Sequence, residues 1–219
     1  MILFPSSVFG MYLAILPEAL GNTLLIWLLS VALGICLGLL LALTRLSRAR
    51  PIAWLSRMVV DVGRSMPLLV IIYLIYFGII GLIFPIPPLV AASLAIGLKL
   101  GFYLSEVFRS GIQGVPVGYV EAAKSLGMGG FLIRRRLVLP IAVRLMLPAI
   151  GQYLVGTLLD TSFASTIGAA ELTQQGRVII DLQFATGLWV AVAATYFIMA
   201  FPLSRFLALL ERRWAVSLI

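Results

Sequence analysis

Long apolar runs alternate along this chain with short basic stretches, at a length set by a bilayer and not by a soluble core. A membrane-spanning helix needs about 20 mostly apolar residues. The run 21–44 meets that length without a single charge and ends in a loop holding Arg45, Arg48, Arg50 and Arg57. A second uncharged stretch, 65–98, is too long for one span, and Pro85, Pro87 and Pro88 interrupt it. Proline inside a helix removes a backbone hydrogen bond. The pattern therefore predicts two helices, 59–83 and 88–108, joined by a tight turn. A polar loop, 110–136, follows. A fourth span is expected over 137–160, with Pro140 and Pro148 inside it, and a fifth over 184–210. Between these two, residues 161–183 are rich in Ser, Thr, Gly and Gln and too polar to cross. The expected fold is an all-α integral membrane protein, one transmembrane domain over 1–219 with five spans. The first residues are apolar but carry no basic n-region and no small-x-small cleavage site. They predict a short interfacial segment broken by Pro5 and Pro17, not a cleaved signal peptide.

Charge placement orients these spans. Arg45, Arg48, Arg50, Arg57 and Arg64 fall on one side, with Arg109, Lys124, Arg134, Arg135, Arg136 and Arg144. Arg205, Arg212 and Arg213 join them, while the opposite side holds only Arg177. Cytoplasmic loops carry the excess of Lys and Arg. The N-terminus is thus expected outside and the C-terminus in the cytoplasm.

Composition narrows the function. The chain is 62% hydrophobic and 11% charged, against about 25% charged in soluble domains. Its net charge of +8 is accounted for by orientation, so no nucleic-acid partner is implied. There is no histidine, and the one cysteine, Cys36, lies in an apolar run. A disulfide framework, a cysteine zinc site and a Ser/His or Cys/His catalytic device are excluded, and no metal site is expected. A membrane enzyme is disfavoured. A secondary transporter is disfavoured too, because the five spans contain no internal repeat.

The loop 110–136 carries the most information. Residues 119–126 suit a short helix, and Gly127 is placed to cap it in the left-handed conformation. Ala122 and Ala123 permit close approach of another surface, and Glu121 offers a charge to a basic partner. The whole segment reads Glu121-Ala122-Ala123-Lys124-Ser125-Leu126-Gly127, nine residues, then Leu137-Val138-Leu139-Pro140. It resembles the EAA loop of ABC importer permeases, with Leu137 where isoleucine is usual. Arg134-Arg135-Arg136 reads better as an anchor at anionic headgroups.

Further segments narrow the resemblance. Gly21-Asn22-Thr23-Leu24, Arg64-Ser65-Met66-Pro67-Leu68-Leu69, Tyr103-Leu104-Ser105-Glu106-Val107-Phe108-Arg109-Ser110-Gly111-Ile112, Asp160-Thr161-Ser162 and Glu171-Leu172 occur in order. Together they are similar to the histidine/glutamine/arginine/opine permease family of polar amino-acid importers. A methionine-type permease, also short and five-spanned, is the nearest rival. The resemblance implies a type I importer in a bacterial inner membrane. It implies a second permease subunit, two ATPase subunits that bind ATP and Mg, and a periplasmic solute-binding protein; no cofactor is bound by this chain itself. The coupling residues it implies are Glu121, Ala122, Ala123 and Gly127. The family often has Lys before Asp-Thr-Ser, where this chain has Leu159. That departure favours a heterodimer with unequal halves over a homodimer.

Ionisable residues inside spans are costly and mark candidate sites. Lys99 attracts a substrate carboxylate, pairs with an acid such as Asp160, or snorkels toward the interface. Tyr103, Asp160, Thr161 and Ser162 are candidates for the substrate path, the last three as a non-helical polar segment lining a cavity. Asp61 with Arg64, and Glu106 with Arg109, are spaced for ion pairs on one helix face. Glu171 is a candidate cap for the segment after it.

Overall fold

The computed structural model describes residues 6–78 and 82–214. Its first helix, α1 (Ser6–Arg45), runs without a break through Pro17. The expected interfacial segment is therefore the N-terminal part of one long helix; Pro5 lies outside the described residues. One proline removes a single hydrogen bond, and packing compensates for it. Tyr12 and Ala19, on either side of Pro17, are buried against Leu172, Ile179, Leu188 and Val192.

The second span also departs from expectation. Instead of one helix over 59–83, α2 (Arg50–Ser65) meets α3 (Leu68–Tyr76) at an angle of 103°. Pro67 is the cause. The residue before a proline is pushed out of the α region, and Met66 is extended, at φ −78° and ψ 134°. Residues 79–81 of the expected helix lie outside the described residues. Next comes α4 (Pro88–Gln113), entered through Pro87 and Pro88.

On the far side of the polar loop lie α5 (Val117–Ser125), a short α6 (Gly130–Ile133) and a π turn, Arg134–Val138. The wide turn precedes Pro140, which has no N–H to give to the regular ladder. The chain continues as α7 (Leu139–Asp160) straight into a 3₁₀ helix, Thr161–Ile167. A non-helical segment was expected there. The hydroxyls of Thr161, Ser162, Ser165 and Thr166 each donate to the carbonyl three residues back. That satisfies the backbone locally and keeps it coiled. Then follow α8 (Leu172–Gln183) and α9 (Leu188–Trp214). Among the described residues, four helical runs are long and apolar enough to cross a membrane, and the bent α2–α3 pair makes a fifth.

Helices α1 and α4 run in parallel and form the centre of the bundle. Lipid tails are as apolar as leucine, so close backbone approach through small residues drives such pairs. Here each glycine receives a leucine from the facing helix. A Cβ at Gly34 would lie 2.6 Å from Leu100 Cδ2, and one at Gly38 would lie 2.8 Å from Leu104 Cβ. In return, Gly97 and Gly101 of α4 admit Leu33 and Leu37, each 2.9 Å from such a Cβ. Ser30 Oγ donates to the Ser93 carbonyl at 3.1 Å at the upper end of this seam. Gly38→Leu is expected to force the helices apart at a cost of about 1–3 kcal/mol. A lower thermal midpoint of the detergent-purified protein would show it.

Against this pair, α7 packs antiparallel to α4, and α9 antiparallel to α7. Gly111 meets Met146, Tyr103 meets Tyr153, and Gly151 faces Leu207. The indole of Trp27 donates to the Leu154 carbonyl at 2.9 Å and ties α1 to α7.

Candidate functional site: coupling helix, charge cluster and chamber

At one end of the bundle α5 projects as a short helix. It ends in two paired turns. Gly127 N–H donates to the Lys124 carbonyl at 2.9 Å, and Met128 N–H to the Ala123 carbonyl at 3.1 Å. This closure needs a left-handed residue just beyond the cap, and Gly127 has φ +74°. Ala123 is buried, while Glu121 and Ala122 are exposed. Around them Val117, Tyr119, Leu126 and Phe131 present their side chains outward, Leu126 at 81% exposure. The helix is thus a rigid knob with an acidic residue amid apolar ones.

Directly above, four charged residues from three helices converge. Glu106 of α4 accepts from Arg45 of α1 at 2.6 Å through Oε2. Its Oε1 takes the guanidinium of Arg109, a still closer pair one turn along α4. Arg64 of α2 stands 3.9 Å from Oε2. The sequence suggested Glu106 with Arg109, but Arg45 had not been connected to it. Arg64 was expected opposite Asp61; among the described ion pairs it faces Glu106 instead. Arg109 also donates to Gln113 at 2.5 Å, the last residue of α4, so the cluster reaches the loop that carries α5.

Farther along α4 a chamber of about 440 Å³ opens between α4 and α7. Lys99, Tyr103, Tyr153, Thr157 and Asp160 line it. The rings of Tyr103 and Tyr153 stack at 5.2 Å. Thr161 and Ser162 are not among its lining residues. Thr161 is buried and Ser162 half-buried, and both hydroxyls are held by helix carbonyls.

Lys99 is 9% exposed, and its ammonium does not pair with Asp160 among the described ion pairs. It donates to the carbonyls of Gly63, Arg64 and Met66, at 3.3, 2.8 and 2.5 Å. These are the carbonyls left open where α2 breaks at Pro67. Lys99 therefore pins the bend, with its charge spread over the C-terminal dipole of α2. Phe102 closes against Gly63 beside it. Lys99→Met is expected to leave these buried carbonyls unpaired, at about 1–3 kcal/mol. The check is greater protease sensitivity of the α2–α3 bend together with a lower melting point.

The other end of the bundle is closed by side-chain caps. Glu171 is fully buried and caps α8, accepting from Thr173 N at 2.9 Å, Gln174 N at 2.8 Å and Tyr196 OH at 2.7 Å. Burial pushes its carboxyl above the ordinary value, and the N–H of Thr173 pulls it back. Asn22 donates to the Ala170 carbonyl, and Thr23 accepts from Leu172 N. The motif at the start of the run 21–44 thus fixes the turn before α8.

Comparison with known proteins bears on the family and the fold. Residues 34–216 match the model of a family described as binding-protein-dependent transport system inner membrane component. The nopaline transport system permease protein of Agrobacterium fabrum is 36% identical, over 90% of this chain and 86% of that protein. The glutamine transport system permease protein of Escherichia coli is 34% identical, over 92% and 94%. A crystal structure of an amino acid ABC transporter with histidines superposes with a TM-score of 0.85 at 33% identity, covering 94% of both chains. A methionine ABC transporter in an inward-facing conformation superposes at 0.70 with 18% identity, which speaks to fold alone. On the family match and on both relatives, this chain belongs to the inner membrane components of binding-protein-dependent transport systems.

Proposed function

We propose that this chain is the membrane-spanning permease subunit of an ATP-driven importer of polar amino acids. The observation that carries the reading is α5, a capped knob whose Glu121 and apolar neighbours are exposed. Glu121, Ala122, Ala123 and Gly127 form the surface that seats in a separate ATPase subunit, where ATP and Mg bind. Movement of that subunit passes through α5 and Gln113 into the Glu106 cluster, and so into α1, α2 and α4. The chamber at Tyr103, Tyr153 and Asp160 is the substrate path, with Lys99 setting the bend of α2 and α3 beside it.

The chain lies in a bacterial inner membrane as a multi-pass protein, N-terminus outside and C-terminus cytoplasmic. A second permease subunit completes the path, and a heterodimer is favoured because Leu159 replaces the lysine often found before Asp160. A periplasmic solute-binding protein delivers the substrate. Opines are a second substrate reading, favoured by the 36% identity to a nopaline permease.

The test is uptake into proteoliposomes holding the co-purified complex, its binding protein and internal ATP. Radiolabelled arginine, glutamine, glutamate, nopaline and methionine are compared. ATP-dependent uptake of one of the first four supports the reading. Uptake of methionine alone would move the chain to the methionine type.

A further inference from the structure

The chamber and its surroundings hold several charges, but few of them are free to meet a ligand. Lys99 has three donor hydrogens and three carbonyl partners, Gly63, Arg64 and Met66. Its hydrogens are taken by the helix break, while its charge also lies over the Tyr103 ring, 5.0 Å from the centre. Arg45 and Arg109 are committed to the two oxygens of Glu106. Arg64 is different. It stands 3.9 Å from an oxygen that Arg45 already occupies at 2.6 Å. Its side chain is 39% exposed, against 7% for Arg45.

The position of Arg64 matters as much as its freedom. With Asp61, Ser65 and Tyr103 it lines a second cavity of about 420 Å³. Tyr103 lines both this cavity and the chamber that reaches Asp160, so the two share that residue. The Arg64 guanidinium lies over the Tyr103 ring, 5.6 Å from its centre. In that chamber Asp160 has no ion-pair partner among the described residues. Arg64 is therefore the loosely held cation here, and Asp160 is the acid of the chamber without an ion pair; Asp61, beside Arg64 in the second cavity, has none either among the described residues. A planar guanidinium with parallel N–H groups matches a carboxylate in a way an ammonium does not.

From this accounting of free charge we infer that Arg64, and not Lys99, is the group that holds the carboxylate of the transported molecule, with Asp160 receiving its ammonium. The inference rests on the amino-acid reading above and specifies the ligand class as an α-amino carboxylate. Arg64 leaves Glu106 for the substrate at little cost, because Glu106 keeps Arg45 and Arg109. The chamber then selects for a paired ammonium and carboxylate, while the side chain lies against Tyr103 and Tyr153.

The experiment uses the detergent-purified complex without its solute-binding protein, so that binding reports the chamber. Tritiated arginine, glutamine and glutamate are offered in a scintillation-proximity assay. The one that binds is competed with the unlabelled amino acid and with its decarboxylated amine. Wild type is expected to prefer the amino acid. In Arg64→Gln, affinity for the amino acid falls about tenfold or more, the loss of a hydrogen bond to a charged group. Affinity for the amine stays unchanged, so the preference disappears. Arg64→Lys restores part of it, and carries the comparison if the glutamine variant fails to fold. A purely structural role would weaken amino acid and amine alike; that result, or an unchanged preference, overturns the inference while leaving the importer reading in place. Binding of none of the three by wild type removes the amino-acid reading as well.

Discussion

Glu106→Ala is expected to cost about 3 kcal/mol of stability, the low end for removing one member of a buried ion pair. The low end applies because Glu106 is 27% exposed in its side chain. The cost is large because one carboxylate serves three guanidinium groups. Without it, Arg45, Arg64 and Arg109 face one another with no anion between them. The Nε atoms of Arg45 and Arg109 are already buried without hydrogen-bond partners, so the cluster has no spare acceptor to offer. The loss would appear as a lower melting point of the purified protein. Glu106→Gln keeps an acceptor and should recover only part of it. The double variant Glu106→Ala with Arg45→Leu should be less destabilised than the sum of its parts, since both residues belong to one network. Additive losses would mean that the four charges act separately. Transport should fall with stability, since the same cluster ties α1, α2 and α4 to Gln113 at the base of the loop that carries α5.

The second large effect is of the opposite kind. Glu121→Lys is expected to leave the fold intact and reduce transport and substrate-stimulated ATP hydrolysis to near background. Glu121 is exposed, and among the described residues its carboxylate forms no ion pair. Nothing in the bundle therefore depends on its charge. What depends on it is the surface that α5 presents. Val117, Tyr119 and Leu126 are exposed beside it, an apolar rim around an acid of the kind that seats in a basic socket. Reversing that charge sets like against like across the interface, which costs several kcal/mol in a docked surface. Equal melting points for wild type and variant, with uptake lost, is the expected pair of results. Normal uptake in the variant would remove Glu121 from the coupling surface.

The two predictions also show what the sequence could and could not disclose. The short helix and its glycine were legible because Gly127 sits where a left-handed residue closes a helix, and a local rule governs that position. Glu106 and Arg109 were legible for the same reason, being one turn apart. Arg45 was not, because it reaches Glu106 across sixty-one positions of sequence, and no local spacing records such a contact. Lys99 stood out as a charge in an apolar run, but its role required knowing that α2 breaks at Pro67. The prolines at 85–88 drew the boundary instead, as a dense cluster does, while Pro67 alone turns the chain by 103°. The polar stretch after Asp160 misled in the other direction. Its hydroxyl residues suggest loop, yet they bond back to their own helix and keep it coiled. The meshing of Gly34, Gly38, Gly97 and Gly101 with four leucines was likewise hidden, because glycines four apart speak of packing only once the partner helix is known.

The most direct test of the account places a photocrosslinking residue at Tyr119 on the exposed face of α5, with a second at Val178 on α8 as control. Membranes are irradiated and the adducts identified by mass spectrometry. The account predicts an ATPase subunit crosslinked at 119, a yield that drops when Glu121→Lys is added, and no such adduct at 178. Adducts at 119 to lipid alone, from a chain shown to be folded, would contradict the claim that this loop docks an ATPase.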